Sequence, residues 1–563
     1  MKNINKNHIL ILSLVALFAT SCKKQLDVKN PNDPTFAGNV NSEAGIAAYA
    51  KGGVYWNGFN YGDGWLGDSY FSLPWGYHEL MGDVVGGGQG SNNQTTTMGV
   101  PDTFIADPAS PSTTTFTNPS PQATGIIRSF NDPASTANGN NALYYEWTNM
   151  YAMINSCNQI LENVGSVAGL SADKLKTVQA WAYWWKGFAY QKIGSIYYAG
   201  LIYDKSATKE SKYVDRTAIL AESNKNLNQA ASILNTLTSS SDYTSMIRQL
   251  IPTQCQVGKG LPPSAAMWVR SINTMLARNI LYNKLAPFVN GSTSVTINKA
   301  SIPAMSATDW TDVVRYASAG VQSGDYVFTG RSASANSFFS AAGGTVASIC
   351  ASSNQNTTYK VSERLVQAFG ATDRRRANFT DVNGIFYGDA NTNTTRWSLV
   401  DGAAAGLTGI PILGSRQAGK LEIYIGPTYE ETQLMLAEAN IRTGSINAGL
   451  IQIDAVRAYQ GAGVAALAGQ TLTTAQALTA LTNERGAALA FRGLSFYDAR
   501  RWGWTYSFAN GGGRYGVNLI FNRTLYSNAR INYNFMDYWD VPKDETSKNP
   551  PAAGSAAVVN PNW

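Results

Sequence analysis

Between residues 55 and 83 the chain carries a dense run of aromatic side chains, interleaved with asparagine, aspartate and glycine. Flat aromatic rings stack on the C–H faces of sugar rings, and amides and carboxylates hydrogen-bond sugar hydroxyls. Ligand sites commonly combine such aromatic walls with a few polar groups. The residue types therefore predict a carbohydrate-binding surface. The candidate ligand-binding residues, with the leading pair first, are Trp65, Trp75, Trp56, Tyr77 and Asp68.

Glycines separate these rings and argue against a regular buried helix in the same stretch. Large aromatic side chains on a glycine-rich loop are costly to expose unless they meet a ligand or another protein. The alternative is that most of these rings pack against the helical core or against a partner protein. The tryptophans on predicted helices are assigned to the core: Trp181, Trp184, Trp185, Trp268 and Trp310.

Histidine is nearly absent, because the chain has two and His8 lies in the leader described below, which leaves His78. A zinc site built on several histidines is therefore excluded, and a Ser-His-Asp triad would have to use His78. The cysteines lack CxxC spacing, so no structural zinc site is expected. We accordingly expect no metal and no cofactor. A glycosidase that works with two carboxylates stays open, because it needs only Asp or Glu.

A group of charged residues near the C-terminus is a second candidate for chemistry: Glu484, Arg485, Asp498, Arg500 and Arg501. One interpretation is a catalytic cluster. The other, which we adopt, is that charges from neighbouring helices pair and hold helical hairpins together. Phe496 and Trp502 are likewise interpreted as packing residues. We therefore predict no catalytic residue and no enzyme activity.

The first 22 residues have the layout of a lipoprotein leader. Lys2 and Lys6 precede an apolar run over residues 9–19, which is too short for a membrane span of about 20 residues. The run ends in Ala-Thr-Ser-Cys, which resembles the bacterial lipobox. We therefore predict a signal peptide over residues 1–21 and lipidation of Cys22, with membrane attachment through the lipid only. The alternative is an ordinary secreted protein that is cleaved near Ser21.

The charge balance argues against a nucleic-acid partner. A formal charge of +6 is small for 563 residues, and the sequence has no basic stripe of the kind that neutralises phosphates. Charged residues make up only 14% of the chain, which also has 14 Trp, 29 Tyr and 52 Gly. This balance suits an exported protein that is rich in loops and aromatic surfaces.

Helical periodicity begins near Asn141, where Trp147, Met150, Ile154 and Leu161 fall on one stripe. Further helices are predicted over residues 173–194 with Ser171 as N-cap, over about 217–238, 264–285 and 308–322, and from Pro427 to about Trp502. Residues 421–425 resemble a strand, and the tail from Ser507 is predicted to be irregular. Helix pairs joined by short turns suggest tetratricopeptide-like hairpins, although a generic helical domain stays open on this pattern alone.

The C-terminal helices carry a resemblance to a known family. Leu-Ala-Glu-Ala at residues 436–439 and Ala-Val-Arg at residues 455–457 precede NERGAALAFRGLSFYDARRWG at residues 483–503. This order and spacing resemble the closing signature of the SusD/RagB family, in which a helix ending LAEA and an xxVR helix precede NERxxELAFEGxRxxDLRRWG. The chain departs from that pattern at Ala488 and Arg492, each of which replaces a glutamate.

The resemblance implies a fold that is mainly α, with tetratricopeptide-like helical hairpins, long irregular loops and a few short strands, as in the SusD-like α superhelix scaffold. It implies one domain over residues 22–563. The expected parts of that domain are a loop-rich ligand region (52–140), N-terminal helical repeats (141–326), a loop and strand insert (327–426), the C-terminal helical signature (427–503) and an irregular tail (504–563).

The resemblance also implies a function. SusD-like proteins sit on the outer face of the outer membrane, cover the mouth of a SusC-like, TonB-dependent transporter, and capture glycans, or peptides in the RagB branch. We therefore expect a surface-exposed, lipid-anchored protein that captures an oligosaccharide or polysaccharide and delivers it to such a transporter. A peptide-binding lipoprotein is the first alternative, and a surface glycosidase is the second.

Overall fold

The computed structural model describes residues 40–55, 76–87, 98–106, 115–117, 124–132, 141, 143–331, 359–381, 383–384, 395–415, 420 and 422–563. Over these residues the chain is mostly helical, and short strands link or flank the helices. In this part of the chain, every helix is too short or too polar to cross a bilayer.

The helices are, in chain order, α1 (Glu43–Ala50), α2 (Gly76–Met81), α3 (Thr124–Phe130), α4 (Tyr144–Asn163), α5 (Ala172–Ile196), α6 (Arg216–Leu234), α7 (Ser241–Leu250), α8 (Ala265–Tyr282), α9 (Ala307–Ser318), α10 (Glu363–Ala368), α11 (Tyr429–Arg442), α12 (Ile446–Tyr459), α13 (Thr474–Ala488), α14 (Ser495–Arg501) and α15 (Lys543–Lys548). A single π-helical turn, Lys51–Tyr55, follows α1. The predicted helices are therefore present, and the predicted mainly α fold is confirmed.

The strands are short except for one hairpin. They are β1 (Val85–Gly87), β2 (Thr103–Ile105), β3 (Thr115–Thr117), β4 (Ala199–Gly200), β5 (Val214–Asp215), β6 (Thr329–Gly330), β7 (Tyr359–Val361), β8 (Phe379–Asp381), β9 (Trp397–Leu399), β10 (Ile423–Tyr424), β11 (Arg514–Phe521) and β12 (Thr524–Asn532). Four of them form an antiparallel sheet in the order β11-β12-β2-β3, and the others pair as β1-β7, β4-β5, β8-β9 and β10-β6.

Side-chain caps fix where the helices begin. The Ser171 hydroxyl accepts the backbone N–H of Lys174 in the first turn of α5, so Ser171 is the N-cap, as the sequence predicts. Helices α9 and α13 begin with full capping boxes, formed by Ser306 with Asp309 and by Thr473 with Gln476. Thr428 caps α11, so the predicted first-turn residue Pro427 lies just before the helix.

Close helix contacts at glycine define the hairpins. Helix α5 packs against α4 and α6, and α11 packs against α12. A Cβ atom on Gly187 of α5 would lie 2.7 Å from Cγ of Leu227 in α6. A Cβ atom on Gly449 of α12 would lie 2.5 Å from Cγ1 of Ile441 in α11. Only glycine permits these approaches, and small residues where two helices touch are the mark of tetratricopeptide-like pairs.

An aromatic cluster forms the centre of the N-terminal helices. Trp181, Trp184, Trp185 and Trp268 are fully buried, and all four surround the ring of Phe328 at centroid distances of 4.8–6.0 Å. Edge-on contacts of this kind add to the free energy gained from burying the rings. The predicted core assignment of the helical tryptophans is confirmed, Trp310 included.

The tail departs from the prediction, because residues 514–532 are not irregular but form the hairpin β11–β12. Asn522 and Arg523 both have positive φ angles, 47° and 62°, and make the tight turn of the hairpin. Such turns are recognised in sequences by Asn-Gly, which is absent here. The register also shifts on either side of Val517, which interrupts the simple alternation of a strand.

Buried ion pairs join the C-terminal helices. Arg501 of α14 binds Glu438 of α11 at 2.7 and 2.6 Å, and it shares Asp498 with Arg485 of α13. Burial alone would raise the pKa of Glu438, but Arg501 and Arg442 outweigh it and lower that pKa to about 2. The stabilisation is therefore present above pH ~4.5 and is lost as the pH falls toward 2.

The other signature charges are also structural. Glu484 binds Arg375 at 2.6 Å and Arg457 at 3.0 Å. Arg500 donates to the backbone carbonyls of Ser195, Tyr282 and Asp537. The predicted charge pairing is confirmed for Glu484, whereas Arg500 joins its neighbours through backbone carbonyls instead. Arg492, which replaces a family glutamate, forms its own ion pair with Glu430 at 2.9 Å.

Replacing Glu438→Gln should lower the free energy of unfolding at pH 7 by about 3–5 kcal/mol, because the buried guanidinium of Arg501 loses one of its two carboxylate partners. Urea denaturation measures this change. The matched control is Asp312→Asn, which removes an exposed ion pair with Arg315 and should cost less than about 1 kcal/mol. Equal effects of the two substitutions would contradict the role given to Glu438.

Candidate functional site

Of the five candidate ligand-binding residues predicted from the sequence, the structure describes one. Trp56, Trp65, Asp68 and Trp75 lie outside the described residues, as does the lipidation candidate Cys22. Their predicted roles stay predictions. Tyr77 lies in α2, where its side chain is fully buried. In this structure Tyr77 therefore packs in the core and offers no surface to a ligand.

Helix α2 is itself unexpected, since the glycine-rich sequence argues against a buried helix there. All of its residues are buried, and hydrogen bonds to the scaffold hold it in place. Nε2 of His78 lies 2.8 Å from Oε2 of Glu146 in α4, and Oε1 of Glu79 accepts the backbone N–H of Gly493 at 2.7 Å. These tertiary contacts, rather than a periodic apolar face, stabilise the six-residue helix.

Asp83, two residues beyond α2, is the junction of three elements. Arg364 of α10 donates to it from Nε and Nη2 at 2.9 and 2.7 Å, and Arg514 of β11 donates at 3.1 Å. Tyr533, just after β12, donates its hydroxyl to the same carboxylate. Burial alone would raise the pKa of Asp83, but the arginines lower it. Asp83 thus fixes the end of the aromatic segment 55–83 to α10 and to the hairpin.

A groove opens beside this junction, between α10, α13, the hairpin and the loop at residues 288–291. Its outer part has a volume of about 310 Å³, and an inner cavity of about 50 Å³ adjoins it. The residues that line both parts are Arg364, Ala368, Thr482, Asn483, Trp504 and Arg514. The outer volume is at the lower end of the range for sites that take small molecules.

The side chains of the outer groove are aromatic and polar. Trp504 and Tyr515 are half-buried there, and the exposed amides of Gln367, Asn483 and Asn528 surround them. Cζ of Arg514 lies 4.6 Å from the Trp504 ring, and Cζ of Arg530 lies 5.1 Å from the Tyr515 ring. These cation–π contacts hold the rings in place.

This groove combines the residue types that the sequence places at 55–83, but it draws them from other parts of the chain. The sequence analysis identified none of the residues of the outer groove as candidates. Its residues come from positions 288–291, 364–368, 479–483 and 504–530, which only the folded chain brings together. The one available signal is the aromatic character of the tail, where Trp504 and Tyr515 lie.

The carboxylates of the inner cavity are already bound. Asp83 forms ion pairs with Arg364 and Arg514, and Asp498 forms ion pairs with Arg485 and Arg501. A glycosidase needs one carboxyl group that can hold and release a proton beside the bond that breaks. Carboxylates paired with two arginines each are poorly suited to that task.

Metal-binding chemistry finds little support in the described residues. Among them, no three His, Cys, Asp or Glu side chains are grouped so that they could hold a metal ion. Cys157 and Cys255 are both buried. Burial raises the pKa of the Cys157 thiol, which keeps it protonated.

Two family models match the chain at separate places. Residues 103–248 match a model described as starch-binding and associating with the outer membrane, and residues 429–563 match the SusD family model. A search of curated proteins gives no significant match. The second match contains the signature at residues 483–503. Both matches support membership of the SusD/RagB family.

Solved structures show the same fold over nearly the whole chain. A SusD-like carbohydrate binding protein from Bacteroides vulgatus is 12% identical, with a TM-score of 0.54, and the match covers 92% of this chain and 98% of that one. A structure with xylogluco-oligosaccharide is 13% identical, with a TM-score of 0.51 and coverage of 92% and 98%. Surface glycan-binding protein A from Bacteroides fluxus is 13% identical, with a TM-score of 0.50 and coverage of 91% and 97%.

The burial of α2 has a consequence for pH dependence. Burial raises the pKa of Glu79 to about 7, and the backbone N–H groups around it lower that pKa only in part. Among the described residues, the buried Oε2 of Glu79 has no hydrogen-bond partner. Because the folded-state pKa exceeds the unfolded value of 4.5, folding takes up a proton between these two values. The stability contributed by Glu79 is therefore full below pH ~4.5 and is lost as the pH rises through 7.

Replacing Glu79→Gln should remove this loss, since glutamine keeps the acceptor for Gly493 and does not ionise. We expect the variant to gain on the order of 2–3 kcal/mol relative to the parent protein between pH 5 and pH 8. Urea denaturation of both proteins at the two pH values measures the gain. Other titrating groups affect both proteins alike, so a stability difference that is the same at both pH values would contradict the role given to Glu79.

Proposed function

We propose that the protein is a lipoprotein on the outer face of the outer membrane, which captures glycan and delivers it to a SusC-like, TonB-dependent transporter. The observation that carries this proposal is the groove of aromatic and amide side chains. It lies beside Asp83, the last residue of the aromatic segment 55–83. Aromatic rings and amides together suit the apolar faces and hydroxyls of sugars. The groove thus offers the same chemistry that the sequence of the segment predicts.

The relatives support this proposal. One matching family model is described as starch-binding and associating with the outer membrane, one similar structure contains a xylogluco-oligosaccharide, and another is a surface glycan-binding protein. At 12–13% identity these structures share the fold with this chain and leave the choice of sugar open.

The pairing of the groove carboxylates supports capture without cleavage. Asp83 and Asp498 are both committed to arginines, so neither is placed to protonate a leaving group. Peptide capture, the function of the RagB branch, is the second candidate. Binding assays with glycans and with peptide mixtures separate the two.

The protein lacking residues 1–22 should bind one class of polysaccharide and release no shorter product. Trp65→Ala and Trp75→Ala should each weaken that binding about five- to thirtyfold, because stacking on one ring contributes roughly 1–2 kcal/mol. Affinity electrophoresis followed by calorimetry measures the effect. Trp563→Ala, which removes the same side chain outside the aromatic segment, is the matched control and should bind as the parent does.

The outcomes separate site from function. Binding that survives both substitutions would leave glycan capture standing and move the site away from Trp65 and Trp75. Binding to peptides and to no glycan would replace the proposed ligand class. Release of shorter sugars by the purified protein would establish a glycosidase instead.

Attachment to the membrane is tested separately. In a bacterium that processes lipoproteins, the full chain should partition with the outer membrane and become labelled by a fatty-acid probe. Cys22→Ser should abolish the label and move the protein to the soluble fraction, because the lipid is the expected anchor. Cys157→Ser, which removes a buried free thiol, is the control. Labelling that persists in Cys22→Ser would contradict the assignment of the lipidation site.

A further inference from the structure

The inner cavity contains an unsatisfied guanidinium. Arg485 is 1% exposed, and its Nε donates to Asp498 at 2.8 Å. Nη1 and Nη2 of Arg485 are buried, and among the described residues neither has a hydrogen-bond partner. A guanidinium has five N–H donors, and a buried donor that is left unpaired destabilises the folded protein. Arg485 is one of the residues that line the inner cavity.

The outer groove is positively charged. Arg364, Arg514 and Arg530 line it, and none of its described lining residues is acidic. Arg364 and Arg514 share the single carboxylate of Asp83, which lies on the inner side. Positive charge that is only partly neutralised, in a concave site with low-dielectric walls, attracts an anion.

We propose that the groove binds an acidic saccharide, with a sugar ring in the outer part and the ring's carboxylate in the inner cavity against Arg485. This inference rests on the proposed glycan capture. A pyranose ring fits a space of about 310 Å³, and a carboxylate fits one of about 50 Å³. The planar fork of a guanidinium matches the two oxygens of a carboxylate, which gives a strong, charge-assisted pair.

The lining favours a saccharide over an acidic peptide. Peptides bind such surfaces most readily by adding a strand to a free sheet edge. Here β11 lies at the edge of its sheet, but α10 covers that edge. Gln367 accepts the N–H of Asn518 at 2.9 Å and donates to the carbonyl of Gly516 at 3.2 Å, and Arg364 donates to the carbonyl of Asn518. At Gly516 and Asn518, the edge groups that a peptide would use are therefore occupied.

Matched oligosaccharides test the proposal. Calorimetry at low salt would compare α-1,4-linked trigalacturonate with the neutral α-1,4-galactotriose, and β-1,4-linked triglucuronate with cellotriose. Each pair differs only in the carboxylates. We expect at least one acidic member to bind tenfold or more tightly than its neutral partner, and we expect that preference to fall as the salt concentration rises. Cellotriose sulfated at O6 is a third arm, and equal binding of the sulfated sugar would overturn the choice of carboxylate.

Variants locate the anion. Arg530→Gln should reduce the acidic preference at least threefold, whereas Arg523→Gln, the same change at the tip of the same hairpin, should leave it unaltered. Arg485→Lys keeps the charge but loses the fork, and it should reduce the preference by tenfold or more. If Arg485→Lys does not fold, judged by its thermal unfolding, the Arg530→Gln result decides.

The failures are distinguishable. Equal affinity for acidic and neutral members, or equal behaviour of Arg530→Gln and Arg523→Gln, would overturn the acidic ligand and leave glycan capture intact. In that case water satisfies Arg485. Failure to bind these sugars and every polysaccharide would remove the proposed function itself, while preferential binding of an acidic peptide would replace the ligand class.

Discussion

The requirement that a buried guanidinium keep a charged or carbonyl partner organises the C-terminal half of this protein. Arg501 joins α14 to α11 through Glu438, Arg485 joins α13 to α14 through Asp498, and Arg375 joins its turn to α13 through Glu484. Breaking one such pair leaves an uncompensated charge in the interior. These ion pairs therefore fix the arrangement of the helices, and that arrangement positions the walls of the groove.

Asp83 extends the same constraint to the ligand region. The carboxylate receives two arginines and a tyrosine from α10, β11 and the segment after β12, so the end of the aromatic segment cannot shift independently of the groove. One paired carboxylate thereby holds the end of a glycine-rich segment against a rigid scaffold. Sites held by locked neighbours bind with less loss of entropy than sites on free loops.

Much of the scaffold could be predicted from sequence because its signals are local. Helices α5 and α11 show their periodicity and caps within a few turns, and the signature at residues 483–503 identifies the family. Two elements could not be predicted. Helix α2 depends on distant partners such as Glu146, and the hairpin turns at Asn522 and Arg523 without a glycine. The groove could not be predicted because α10, α13 and the hairpin meet only in the folded chain. The roles of Trp65 and Trp75 stay predictions.

The central claim is that sugar binds in the groove beside Asp83. A crystal structure of the protein with its preferred oligosaccharide tests that claim most directly. We expect a sugar ring between Trp504 and the amides of Asn483 and Asn528, with an acidic group within hydrogen-bonding distance of Nη1 or Nη2 of Arg485. Sugar bound only elsewhere, with water filling the groove and meeting Arg485, would contradict it.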